Sequence, residues 1–204
     1  MDYEKYLNDH EAFFFGFDDV LYPEKDYLLQ VYYLFAQFIE YGEQIDAQEI
    51  IGFMRDTYTS NGPELMFDLT AARFGLPEKY RLNFDLLHQN ARLPLKLLLF
   101  ANVLDFMRAI QKAGKPFYLL ADGDPATQLN KIRQVEWNGL EQLLRVYFVA
   151  ENAEGTFPGT IRTILAEQLQ MDGTVLWIGQ EDEEEMVTKD TQIKFLFAGK
   201  LSLP

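Results

Sequence analysis

Phe13-Phe14-Phe15-Gly16-Phe17-Asp18-Asp19-Val20-Leu21-Tyr22-Pro23 decides how this chain is read. An unbroken apolar run with no polar alternation suits a strand buried on both faces, the environment of a parallel sheet covered by helices. The run, Ala12 to Phe17, stops abruptly at two acids. In such sheets ligands gather at the carboxyl ends of strands, so Gly16, Asp18 and Asp19 fall where chemistry would be expected.

Four further runs have the same character: Pro116 to Ala121, Arg145 to Ala150, Thr174 to Gly179 and Ile193 to Ala198. Helical stretches separate most of them. Leu99 to Ala113 places Val103, Phe106, Met107 and Ile110 on one face, and Gly114 follows as a helix terminator. Between Tyr22 and about Pro94 strand patterns vanish. Helical periodicity replaces them over Asp26 to Tyr41, Ala47 to Tyr58, Pro63 to Phe74 and Pro77 to Leu87. The predicted architecture is α/β, a Rossmann-like parallel sheet core formed by residues 1–22 and 95–204, with a helical cap, residues 23–94, inserted after the first strand.

Composition narrows the function. The 204 residues hold 18 Lys and Arg against 32 Asp and Glu, and the net charge of −14 disfavours nucleic acid or an anionic membrane surface as a partner. No cysteine is present, which removes disulfides, thiol nucleophiles and thiolate metal sites and makes the cytoplasm the expected compartment. Met1-Asp2-Tyr3-Glu4-Lys5 lacks the basic-then-apolar order of a signal peptide, and no apolar run approaches the ~20 residues that span a bilayer.

The quoted segment resembles the first motif of the haloacid dehalogenase superfamily of hydrolases, Asp-x-Asp-x-Thr-Leu/Val after an apolar strand, in the variety that continues Leu-Tyr-Pro. Three more stations follow in order. Leu119-Leu120-Ala121-Asp122-Gly123-Asp124-Pro125 stands where the family has Thr or Ser before Asn-Gly. Phe157-Pro158 stands at the Lys-Pro pair, and Trp177-Ile178-Gly179-Gln180 with Glu181 to Glu185 stands at Gly-Asp and a second acid.

The resemblance implies a magnesium-dependent phosphatase with an aspartate nucleophile, yet the matching positions lack that chemistry. Gly16 replaces the nucleophile, Val20 the motif threonine, Ala121 the phosphate-holding hydroxyl, Phe157 the lysine and Gln180 the metal-binding Asp. Asp18 survives at the acid/base position, and Glu185 falls at the final acidic one. Lys131 is read as a solvated helix lysine rather than a substitute for the lost cation. The expectation is therefore a non-catalytic relative with no cofactor and no metal. It would bind a small molecule or a protein in the core–cap cleft. A residual pocket of Asp18, Asp19, Asp122, Gly123, Asp124 and Glu185 is expected at the strand ends.

Plainer roles compete with each of these. Asp124 before Pro125 suits a helix start, and Glu181 to Glu185 suits a solvated helix N-terminus. His10 and His88 have no ligand-spaced companion, and Trp137 and Trp177 read as core. Two other functions remain open: a hydrolase of altered mechanism acting on a phosphorylated metabolite with Asp18 activating water, and an interaction protein using its aromatic cap.

Overall fold

The computed structural model describes residues 3–169 and 174–202; Met1 and Asp2 of the opening segment, and 170–173 and 203–204 of the expected core span, lie outside the described residues. β1 (Ala12–Gly16) follows the short helix α1 (Glu4–Asp9), and the helices α2 (Glu24–Glu43), α3 (Ala47–Asn61), α4 (Met66–Phe74) and α5 (Arg81–Asn90) come next. After the two-residue strand β2 (Leu97–Leu98), helix α6 (Ala101–Lys112) leads to β3 (Phe117–Ala121) and α7 (Pro125–Gln134). Then come the two-residue strand β4 (Val135–Glu136), β5 (Val146–Phe148), α8 (Phe157–Ile164), β6 (Val175–Gly179), α9 (Glu184–Val187) and β7 (Ile193–Phe197).

β1 lies at the centre of a five-stranded sheet of order β5-β3-β1-β6-β7, every pairing parallel. Phe15 is level with Leu119 and Ile178, and Gly16 with Leu120, so the tips of β1, β3 and β6 finish side by side. All five residues of β1 are buried, which explains the unbroken apolar run: alternate side chains point to opposite faces and both faces are covered. Phe13 and Phe15 meet Phe106 of α6 at ring-centroid distances of 5.6 and 6.2 Å. On the other face Phe14 stacks on Tyr118 at 4.9 Å within a cluster holding Trp177, Ile161 and Ile164. Each fully buried aromatic of this kind contributes about 1.5–3 kcal/mol by transfer from water.

The strands are one to three residues shorter than their apolar runs. The greatest trimming is at Arg145–Ala150, where Val149–Glu151 turns into a 3-10 helix. Gly114 takes φ 69°, closing α6 as its position predicts. In the insertion α2 extends two residues beyond its expected span at each end, while Pro77–Leu87 becomes a 3-10 turn, Glu78–Tyr80, running into α5.

By its internal contacts the chain forms two units, Met1–Pro23 with Leu98–Gln128 and Val135–Pro204, and Glu24–Leu97 with Leu129–Gln134. The helical unit thus begins at Glu24 rather than residue 23, runs to Leu97 rather than residue 94, and adds the second half of α7. Its core is aromatic: Phe35 meets Phe84 at 5.1 Å and Phe67 at 6.1 Å, and Tyr32 stacks on Phe84 at 6.2 Å. Lys131 departs from its expected role. It is 3% exposed, its Nζ lies 2.7 Å from Glu24 Oε1 and 5.1 Å from the centre of the Tyr27 ring. A cation this buried persists because a carboxylate and an aromatic face replace its water shell. Among the described residues no helix is long and apolar enough to cross a membrane.

Candidate functional site at the strand tips

Gly16 ends β1 with extended backbone, so nothing in its φ demands glycine; space is what it supplies. A Cβ there would meet Val20 Cγ2 at 3.0 Å and Trp177 Cζ2 at 3.5 Å. The tip is therefore walled by hydrocarbon, with Val20 and Trp177 both buried.

Asp18 keeps a formed environment. The Tyr22 hydroxyl donates to Oδ1 at 2.5 Å and Gln128 Nε2 to Oδ2 at 2.8 Å, while the same Gln128 nitrogen donates to the Asp122 carbonyl at 2.5 Å. Tyr22 reaches back because the chain turns through Asp19, whose φ is 57°, and Asp19 N–H bonds to the Tyr22 carbonyl. Neither Tyr22 nor Gln128 stood out in the sequence, although a tyrosine four residues beyond the acid in a tight turn was the available signal.

At the tip of β3, Ala121 is buried and offers no hydroxyl, and Asp122 bends back to accept from Gly123 N–H at 2.9 Å. Asp124 takes its plainer role: its Oδ2 accepts from Thr127 N–H at 2.9 Å as the N-cap of α7.

β6 ends in an interlocked turn. Trp177 Nε1–H donates to Glu183 Oε2 at 2.9 Å, and the same oxygen accepts from Gln180 N–H at 3.1 Å. The Gln180 side chain accepts from the Glu183 N–H, completing a capping box, and donates from Nε2 to the Asp18 carbonyl at 3.1 Å. Gly179 is required here, because a Cβ would overlap both the indole nitrogen and Glu183 Oε2. Burial pushes the Glu183 carboxyl above its ordinary pKa, against the two N–H donors that hold it down. Glu181, Asp182, Glu184 and Glu185 are exposed at a helix start, as a solvated acidic run predicts, and Glu183 departs from it by turning inward; Glu185, on α9, lies outside the turn.

Phe157, at the first turn of α8 beyond the Thr156 N-cap, packs on Trp177 at 4.7 Å. The position at which the sequence resemblance places a lysine is thus part of the apolar packing. Beyond the tips, Asp19, Gln180, Glu181, Asp182 and Phe197 line an open cavity of about 490 Å³.

A hard divalent cation needs several oxygen ligands, usually with more than one carboxylate. Among the described residues no three His, Cys, Asp or Glu side chains gather to hold a metal ion, Gly16 offers no ligand, and Gln180 turns an N–H towards the Asp18 carbonyl. The residues present do not fit magnesium.

No protein-family model matches the sequence, and no curated protein matches it significantly. Solved structures do match. A haloacid dehalogenase-like hydrolase from Burkholderia xenovorans shares 16% identity at a TM-score of 0.52, over 92% of this chain and 82% of that one. A Thermotoga maritima protein described as a β-phosphoglucomutase shares 13% at 0.52, over 90% and 82%. A Bacillus subtilis hydrolase of the same type, solved with bound magnesium, shares 13% at 0.50, over 84% and 80%. At these identities the likeness establishes the fold: the chain has the architecture of the haloacid dehalogenase-like hydrolases.

Proposed function

We propose that this chain is a non-catalytic relative of the haloacid dehalogenase-like hydrolases, a pseudo-phosphatase with a binding or regulatory role in the cytoplasm. The observation that carries the reading is the tip of β1, where Gly16 supplies no carboxylate and Val20 and Trp177 occupy the space beside it. Phosphoryl transfer through an aspartyl intermediate needs a nucleophile in line with phosphorus and positive charge on the equatorial oxygens. Here Gly16 brings no carboxylate to the tip of β1, Ala121 brings no hydroxyl to that of β3, and Phe157 packs on Trp177. Glu181 and Asp182 line the open cavity beyond the tips, and their charge suits a neutral or cationic ligand, small molecule or protein side chain, better than a phosphate dianion.

The test is release of phosphate from a panel of phosphate monoesters with magnesium, the natural protein run beside Gly16→Asp. The reading expects no turnover from either, since the hydroxyl, lysine and metal carboxylate are missing as well. Magnesium-dependent turnover by the natural protein would overturn it.

One observation favours a second reading. Asp18 is held at both carboxylate oxygens, by Tyr22 and Gln128, as a working acid/base would be. A hydrolase of altered mechanism would use that carboxylate to activate water. It predicts turnover that Asp18→Asn abolishes while the fold persists.

A further inference from the structure

We infer that the tips of β1 and β6 are joined by a protein-only clasp that stands in place of a bound cation. The inference rests on the non-catalytic reading and says how the site holds its shape without metal. Its parts are Trp177, Glu183, Gln180 and the Asp18 carbonyl. Glu183 Oε2 gathers two N–H groups, from the Trp177 indole at 2.9 Å and the Gln180 backbone at 3.1 Å. The Gln180 amide then spans the gap, its oxygen on the Glu183 N–H and its nitrogen 3.1 Å from the Asp18 carbonyl. Two adjacent strands are thereby tied through one side chain 162 residues along the chain from its acceptor.

Each component fits a clasp better than a metal site. A glutamine side chain accepts at its oxygen and donates at its nitrogen, as this bridge requires. A carboxylate at position 180 would place an acceptor against a carbonyl oxygen and need a cation between them; the amide needs none. Gly179 removes the one Cβ that would hold the indole and carboxylate apart. Phe157, packed on Trp177 at 4.7 Å, seats the indole from the α8 side. Glu183 lies inside the turn with one oxygen accepting from two N–H groups, the arrangement of a structural acceptor.

The experiment measures thermal unfolding of the natural protein, Gln180→Ala and Gln180→Glu, each in millimolar magnesium and in EDTA, with calorimetric titration of magnesium into the natural protein. The clasp predicts no heat of magnesium binding and the same midpoint for the natural protein in both buffers. It predicts a midpoint lowered by about 2–6 °C for both variants, in both buffers, the size expected for one or two lost hydrogen bonds in a chain of this length. Magnesium that binds or stabilises the natural protein overturns the inference, as does Gln180→Ala with an unchanged midpoint. Gln180→Glu keeps the side-chain length if the alanine variant does not fold, and its rescue by magnesium to or above the natural midpoint would also overturn the clasp. These failures are separable from failure of the non-catalytic reading, which shows only as turnover.

Discussion

Glu24 and Glu183 are two half-buried carboxylates treated in opposite ways. In the helical unit Glu24 faces the buried ammonium of Lys131 at 2.7 Å. In the sheet unit Glu183 accepts from two neutral N–H groups, and among the described residues it forms no ion pair. Charge compensation is used at Glu24, and at Glu183 N–H dipoles serve instead. A phosphate site needs the first arrangement, with cations to spare; the Glu183 turn has the second.

The comparison is sharpened most by His88, which shares the helical unit with Lys131. Burial, and secondly the Lys131 charge, lower its pKa from 6.5 to about 4. Because the folded value is depressed, the stability attached to the neutral ring is present above pH 6.5 and is lost as pH falls towards 4. The span corresponds to on the order of 3 kcal/mol. Acid unfolding of the natural protein should steepen across that window and flatten in His88→Phe; equal slopes would remove His88 from the account.

Lys131→Met tests the pair itself. It takes the Lys131 ammonium away from Glu24, whose side chain is only 27% exposed. A loss of about 2–3 kcal/mol is expected, below the full cost of breaking a wholly buried pair. The His88 pKa, followed by NMR, should rise in the same variant. An unchanged denaturation midpoint would make the pair a surface-grade contact.

At the strand tips Gly16→Asp pushes a Cβ to 3.0 Å from Val20 Cγ2. Overpacking of this kind costs about 1–3 kcal/mol, so chemical denaturation should show a less stable protein. A variant as stable as the natural chain would mean the tip is roomier than described.

Glu183→Gln carries the smallest effect, under about 1 kcal/mol at neutral pH, because the amide oxygen can accept the same two N–H bonds. The raised Glu183 pKa contributes stability that is fully present below the ordinary carboxyl value and lost as pH rises through the folded one. The variant should therefore match or exceed the natural protein at neutral pH and lose that advantage in acid. A large loss at neutral pH would show that the negative charge itself is needed.

Fold and site were not equally readable in the sequence. β1 was plain because burial on both faces leaves no polar alternation from Ala12 to Phe15, and Gly114 was plain because its φ of 69° is one that side chains resist. The missing groups at Gly16, Ala121, Phe157 and Gln180 could be named from motif order alone. What replaced them could not, since Tyr22, Gln128 and Glu183 act through bonds set by tertiary approach, Gln128 reaching Asp18 across 110 residues. Lys131 misled because an isolated lysine on a helix is ordinarily solvated, and its partner Glu24 lies 107 residues away. Glu183 misled because its four acidic neighbours share no inward turn.

The central claim, that the tip of β1 can form no phospho-aspartyl intermediate, is tested most directly by intact-protein mass spectrometry after incubation with acetyl phosphate and magnesium. The account predicts an unchanged mass. A stoichiometric, hydroxylamine-labile phosphoryl adduct on Asp18 or any neighbouring acid would contradict it.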